Sequence, residues 1–307
     1  MSLPQLTADL FITDGGLETT LVFHDGIDLP DFAAFPLVDR DEGRRALAAY
    51  YAPYLDLAEK LDVGIVLDTP TWRANLDWGA RLGYDAIQLA GVNRRSVDFV
   101  AGLAAARPGL VAVVDGVVGP RGDGYVVGAT MPASEAAAYH GLQARAFAEA
   151  GASMITGVTM TYADEAIGVA RAATVVGLPV VISFTVETDG RLPSGQSLAG
   201  AIAQVDDSTG STPAYYMVNC AHPTHFVSSL DAAAPWTERV KGVRANASPL
   251  SHAELDAATV LDRGDIAELA ALHVDLRSVL PDLRIIGGCC GTDHEHVTAI
   301  ATALTAG

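Results

Sequence analysis

The segment Arg284-Ile285-Ile286-Gly287-Gly288-Cys289-Cys290-Gly291-Thr292-Asp293-His294-Glu295 reads as a strand, a glycine-rich turn and a helix start in immediate succession. Arg284–Gly288 is a short apolar run, and Thr292 followed by Asp293, His294 and Glu295 reads as a capping box opening the last helix. The same alternation runs back to the amino end. Strands are expected at Leu10–Thr13, Val63–Asp68, Val111–Asp115, Ser153–Val158, Val180–Phe184, Tyr215–Asn219, Val240–Ala245 and Arg284–Gly288. Alanine-rich helical patterns fall between them, at Glu42–Leu61, Ala86–Ala106, Ser134–Ala150, Asp164–Val176 and Asp265–Leu280. Short, nearly all-apolar strands separated by helices indicate a parallel sheet covered on both faces. Eight such units in 307 residues match a (β/α)8 TIM barrel of the α/β class. An open doubly wound sheet is the competing architecture. No Gly/Ser linker or composition shift divides the chain, so residues 1–307 are read as one domain. Phe23–Asp41, Val117–Pro132 and Thr185–Ser194 are expected as loops over the barrel mouth, the face where such barrels carry their chemistry.

Composition narrows the function. Half of the residues are hydrophobic and only 18% are charged, which excludes a disordered chain. A net charge of −18 repels a polyanion and argues against a nucleic-acid partner; small or cationic ligands fit better. Three cysteines cannot build a disulfide scaffold, and an odd count points to a reducing compartment. Met1-Ser2-Leu3-Pro4-Gln5 lacks the basic start of a signal peptide, and no apolar run approaches the roughly 20 residues of a membrane span. A cytoplasmic protein is expected, with no membrane partner.

All three cysteines fall at expected strand ends: Cys220 after the sixth strand, Cys289 and Cys290 after the eighth. Loops distant in sequence converge across a barrel mouth, so three thiolates could share one ion. Such a set suits zinc and leaves a fourth position for a reactant. Small buried apolar side chains, or a nucleophilic or redox cysteine, are the other readings, although no Cys-x-x-Cys supports redox chemistry. Asp14-Gly15-Gly16-Leu17-Glu18-Thr19 follows the first strand: the glycines admit a ligand to the backbone, and the acid could hold an ammonium group. An ordinary Asp-Gly turn looks the same. His222 and His225 fit structural roles, and His294 and His296 read as exposed near a helix start. Arg121-Gly122-Asp123 reads as a loop turn. Trp72, Tyr162, Phe184, Tyr215 and Tyr216 lie near strand ends, where an aromatic face could receive a sulfonium or could simply pack the core. Neither a Walker loop nor a Gly-x-Gly-x-x-Gly follows a strand.

Taken together, Asp14-Gly15-Gly16-x-x-Thr19-x-Leu21, Asn219-Cys220 and Gly287-Gly288-Cys289-Cys290-Gly291 resemble the homocysteine S-methyltransferase family. Ser183-Phe184-Thr185-Val186, with Asp189-Gly190 and Gly195, is similar to its fifth-strand segment, and Tyr139-His140 to its helix before strand four. The resemblance implies a zinc-dependent barrel that moves a methyl group onto the homocysteine thiol. It makes Cys220, Cys289 and Cys290 the catalytic zinc ligands, lines the amino-acid subsite with Asp14, Gly15, Gly16 and Thr19, and sets Asn219 beside the metal. One position departs. After strand four the family carries a glutamate that binds the substrate amino group, and here Val158 stands in its place. Valine cannot balance an ammonium charge. Either Asp68, Asp115 or Asp14 takes over, or the acceptor is another thiol. Arg73, at the end of Leu67-Asp68-Thr69-Pro70-Thr71-Trp72-Arg73, could pair with a carboxylate.

The expected function is therefore zinc-dependent methyl transfer from a sulfonium donor, S-methylmethionine or S-adenosylmethionine, to a small-molecule thiol, homocysteine first, giving methionine. Betaine is a weaker donor candidate. The rivals are a metal-free cysteine enzyme, a zinc-binding scaffold and a corrinoid-linked methyltransferase subunit.

Overall fold

A computed structural model describes residues 3–306; Met1 and Ser2, the start of the segment read as lacking a leader, and Gly307 lie outside the described residues. Eight parallel strands close into a barrel in chain order: β1 (Phe11–Ile12), β2 (Gly64–Asp68), β3 (Ala112–Val118), β4 (Met154–Met160), β5 (Val180–Phe184), β6 (Tyr215–Asn219), β7 (Val240–Ala245) and β8 (Ile285–Gly288). Closure is made by β8 against β1, with Ile285 opposite Phe11 and Ile286 opposite Ile12. The outer ring comprises α1 (Asp41–Leu61), α2 (Ala86–Ala105), α3 (Ala133–Glu149), α4 (Ala163–Val176), α5 (Leu198–Thr209), the single-turn α6 (Pro223–Phe226), α7 (Ile266–Leu276) and α8 (His294–Thr305). No helix among the described residues is long and apolar enough to cross a membrane.

Alternation along the strands produces two cores. Phe11, Val66, Val113, Met154, Val181 and Tyr215 point inward and fill the lower barrel, closed beneath by Leu3. Outward residues such as Ile12, Leu67, Ile155, Ile182 and Val218 pack against the helices. Gln5 seals the floor, its amide reaching the Tyr215 hydroxyl at 3.3 Å.

The differences from expectation have local causes. β3 and β4 run on to Val118 and Met160, so the loop after β3 starts at Gly119 rather than Val117. The segment before β6 contains a helix, α5, that was not expected; the Ser197 side chain caps it and Gly210, at φ 65°, ends it. The box opening α8 is shifted by one residue. Asp293 is the cap and pairs with His296, while Thr292 donates its hydroxyl to the Cys289 carbonyl at 2.7 Å. His296, expected exposed, is consequently buried, with Nδ1 2.9 Å from Asp293 and Nε2 2.9 Å from the Arg263 carbonyl. His294 is exposed as expected.

Asp115 lies on β3 between inward-facing Val113 and Val117, below the mouth rather than in it. Its Oδ1 has no hydrogen-bond partner, and burial pushes its carboxyl up to about 7. Between about pH 4 and pH 7 the folded chain keeps this proton after the unfolded chain has lost it, so stability falls as pH rises across that window. Thermal midpoints measured from pH 4 to 8 should therefore decline toward neutrality from this contribution, and Asp115→Asn should flatten the slope. Equal slopes for the two proteins would contradict this assignment.

Candidate active site

The carboxyl ends of β1, β2, β3, β4, β6, β7 and β8 surround an open cleft. Cys220 follows β6, and Cys289 and Cys290 follow β8; all three sulfur atoms lie within 4.8 Å of one another on the cleft wall. The backbone makes this convergence possible. Cys220 adopts the left-handed region at φ 51°, unusual for a residue with a Cβ, and Gly291 turns the chain after Cys290 at φ 79°. The Cys220 carbonyl is gripped by His252 Nε2 at 2.5 Å, and His252 Nδ1 lies 3.1 Å from Glu187.

The oxidation state differs from the three free thiols anticipated. Cys220 and Cys289 are joined as a disulfide, with Cα atoms 5.3 Å apart, and Cys290 is free. Sulfurs held on facing loops within bonding reach couple on oxidation, and the same convergence is what a shared metal requires. Once reduced, the trio fits zinc by its chemistry: three soft thiolates at Zn–S distances near about 2.3 Å need sulfurs about 3.8 Å apart. Burial pushes the Cys290 thiol up. The Tyr125 hydroxyl lies 3.5 Å from the sulfurs of both Cys220 and Cys290.

Tyr125 is delivered by the Arg121-Gly122-Asp123 loop, whose groups are all structural. Arg121 pairs with Asp77 and Glu135, the Gly122 carbonyl accepts from Arg73 and Trp78, and the Asp123 carboxylate accepts from the amides of Tyr125 and Val126. Arg73 does not pair with a carboxylate; its guanidinium is stacked 4.1 Å from the Trp72 ring and 3.6 Å from the Trp78 ring. Of the five aromatic residues noted in the sequence, only Trp72 lines the cleft; Phe32, Tyr51 and Tyr125 complete its aromatic wall.

Gly15 and Gly16 do more for packing than for ligand access. A Cβ on Gly16 would stand 2.5 Å from the Cys289 carbonyl oxygen, and one on Gly15 would stand 2.7 Å from the Tyr54 hydroxyl. They let the β1 loop touch the β8 loop, where Thr19 receives the Gly291 amide at 3.4 Å. Asp14 and Asp68 both line the cleft, and both bind the Arg244 guanidinium from β7. Asp14 also accepts from the Tyr50 hydroxyl at 3.1 Å. Arg244, Glu18, Phe32 and Tyr125 were missed from sequence. The first was visible as a charge on an inward position of an apolar strand, the second only as an acid beside two glycines.

Asn219 is fully buried and does not reach the cleft. Its Oδ1 accepts from the Thr159 amide at 3.0 Å and the Ser183 hydroxyl at 2.6 Å, while Nδ2 donates to Thr159 Oγ1 at 2.9 Å. Those bonds hold Thr159 at φ 62°, directly after Val158 on the cleft wall. His222 and His225 stand outside the sulfur cluster: the first bonds Thr224, the second the Pro249 carbonyl, and burial pushes His222 down to about 4.

The homocysteine S-methyltransferase family model matches residues 11–304. The chain belongs to the homocysteine S-methyltransferase family. It is a methyltransferase built on this barrel. Among solved structures, the homocysteine methyltransferase MmuM from Escherichia coli is similar in three forms. The oxidized form gives a TM-score of 0.75 at 18% identity and the metallated form 0.74 at 20%, each covering 96% of both chains. The apo form gives 0.67 at 20% identity, covering 97% of this chain and 96% of that one. A search of curated proteins found no match.

Asn219→Ala would strand the Thr159 amide and the Ser183 hydroxyl in the barrel wall, at a cost of about 3 kcal/mol. Thermal unfolding should show a midpoint several degrees lower. A wild-type midpoint would mean that Thr159 holds its conformation without this amide.

Proposed function

We propose that this methyltransferase transfers a methyl group from a sulfonium donor, S-methylmethionine or S-adenosylmethionine, to the thiol of homocysteine, giving methionine. The observation that carries the reading is the convergence of three sulfur atoms on one wall of the cleft, in a chain of this family. Zinc held by Cys220, Cys289 and Cys290 would supply the Lewis acid that keeps an acceptor thiol, ordinary pKa about 8.5, as its thiolate near neutral pH.

The chain's own residues account for the rest. Arg244 bridges Asp14 after β1 and Asp68 of β2, which offsets part of the negative charge that the sulfurs face. Phe32, Trp72 and Tyr125 line the cleft, and with Arg73 already stacked on Trp72 the Phe32 and Tyr125 rings are left to meet a sulfonium, a contact worth about 0.5–2 kcal/mol. Phe32 is set in place by an unusual backbone, φ 57°, next to Asp31, which Arg81 clamps. In the transfer the thiol proton leaves to solvent, the new sulfur–carbon bond forms, and the donor's carbon–sulfonium bond breaks. The donor departs as a neutral thioether. The step removes a positive charge from the aromatic wall, which weakens the hold on the spent donor and favours its release.

Reduced, zinc-loaded protein incubated with homocysteine and each sulfonium should give methionine by mass spectrometry. Cys290→Ala should lower that rate by at least about a thousandfold and reduce bound zinc below one per chain. Stoichiometric zinc with no methionine from either donor would overturn the substrate assignment. Full activity of Cys290→Ala would overturn the metal site.

A further inference from the structure

The cleft presents three carboxylates, and their surroundings differ. Asp14 has both oxygens engaged, one with Arg244 and the other with the Tyr50 hydroxyl. Asp68 gives one oxygen to the same guanidinium. A single cation thus answers two acids. Glu18 lines the cleft beside them, in the short helical turn Leu17–Thr19 that follows Gly16. Among the described residues, no other side chain donates a hydrogen bond to Glu18 and no cation lies within 4.0 Å of it; the backbone bond it accepts is from its own amide. Arg73, which forms no salt bridge among the described residues, is committed to the Trp72 and Trp78 faces and to the Gly122 carbonyl.

We propose that Glu18 is the ammonium anchor of the acceptor subsite, the residue that selects thiols bearing a protonated amine over thiols that lack one. The inference rests on the thiol methyltransferase reading above and names the residue that determines its substrate class. The other groups around the cleft are less suited: Asp68 keeps one oxygen open, but its charge is already answered by Arg244 through the other. Val158 has no polar atom, the Thr159 hydroxyl is held by Asn219, and Asp115 lies below the cleft. Glu18, Cys220, Cys289 and Cys290 all line this one cleft. One small molecule can therefore bring sulfur to the cysteines and nitrogen to Glu18. Burial with an acidic neighbour pushes the carboxyl up to about 7, an unfavourable field that an arriving cation relieves.

The test compares homocysteine with 4-mercaptobutanoate, which keeps the thiol and the carboxylate and lacks only the amine. Affinities of both for reduced, zinc-loaded protein are measured by calorimetry, for wild type, Glu18→Gln and Glu18→Asp. Zinc content and thermal midpoint are recorded alongside. Wild type should favour homocysteine by about 30-fold or more, the scale of a charged hydrogen-bonded contact. Glu18→Gln should bring the two affinities together, and Glu18→Asp should restore part of the preference. Equal affinities in wild type, or an undiminished preference in Glu18→Gln, would overturn the proposal. Turnover is followed in the same samples with a sulfonium donor. Absence of methylation would sink the methyl-transfer reading, while the affinity ratio still decides Glu18.

Discussion

Cys220 and the Cys289-Cys290 pair are separated by 69 residues or more of chain, yet their sulfurs are held within 4.8 Å because β6 and β8 both end at the same rim of a closed barrel. That approach constrains everything around it. It requires Cys220 in a left-handed backbone conformation, a turn at Gly291, and a β1 loop stripped to Gly15-Gly16 so that it can lie against the Cys289 carbonyl. His252 and Thr185 both point hydrogen-bonding groups at the Cys220 carbonyl, which shows how much of the second half of the chain is devoted to one residue's orientation.

The electrostatics follow from the same rim. Isolated buried charges are costly, and this cleft meets the problem unevenly. Arg244, one position along β7 from Ala245, bridges Asp14 and Asp68 and also donates to the Gly288 carbonyl, so it ties β1, β2, β7 and β8 together. Glu18 has no such partner among the described residues. Val158 on the β4 side of the cleft offers no charge, and the acid without a cation stands on the β1 loop instead. Glu18 and the three cysteines line the same cleft.

Much of this was legible in the residues because the governing signals are local. Val180–Phe184, Tyr215–Asn219 and Val240–Ala245 are apolar runs bounded by turns, and they form strands with those bounds. The three cysteines were legible for the same reason, since strand ends locate them on the rim. What could not be read depends on side chains meeting across the barrel. Asn219 looked like a ligand-facing residue and is instead a brace for Thr159, a contact 60 residues away. The shift of the α8 cap from Thr292 to Asp293 turned on whether the Thr292 hydroxyl preferred the helix or the Cys289 carbonyl, a tertiary choice. Glu18 stood inside a motif that had already been singled out, but its lack of a partner is visible only once Arg244 is seen to be taken.

In the proposed reaction three cysteine sulfurs act together on one ion with room for a reactant. X-ray absorption at the zinc edge of the reduced, metal-loaded protein addresses it directly. Three sulfur neighbours at about 2.3 Å plus one lighter atom, becoming four sulfurs when homocysteine is added, is the expected result. A shell with two sulfurs or fewer, unaltered by the thiol, would contradict it.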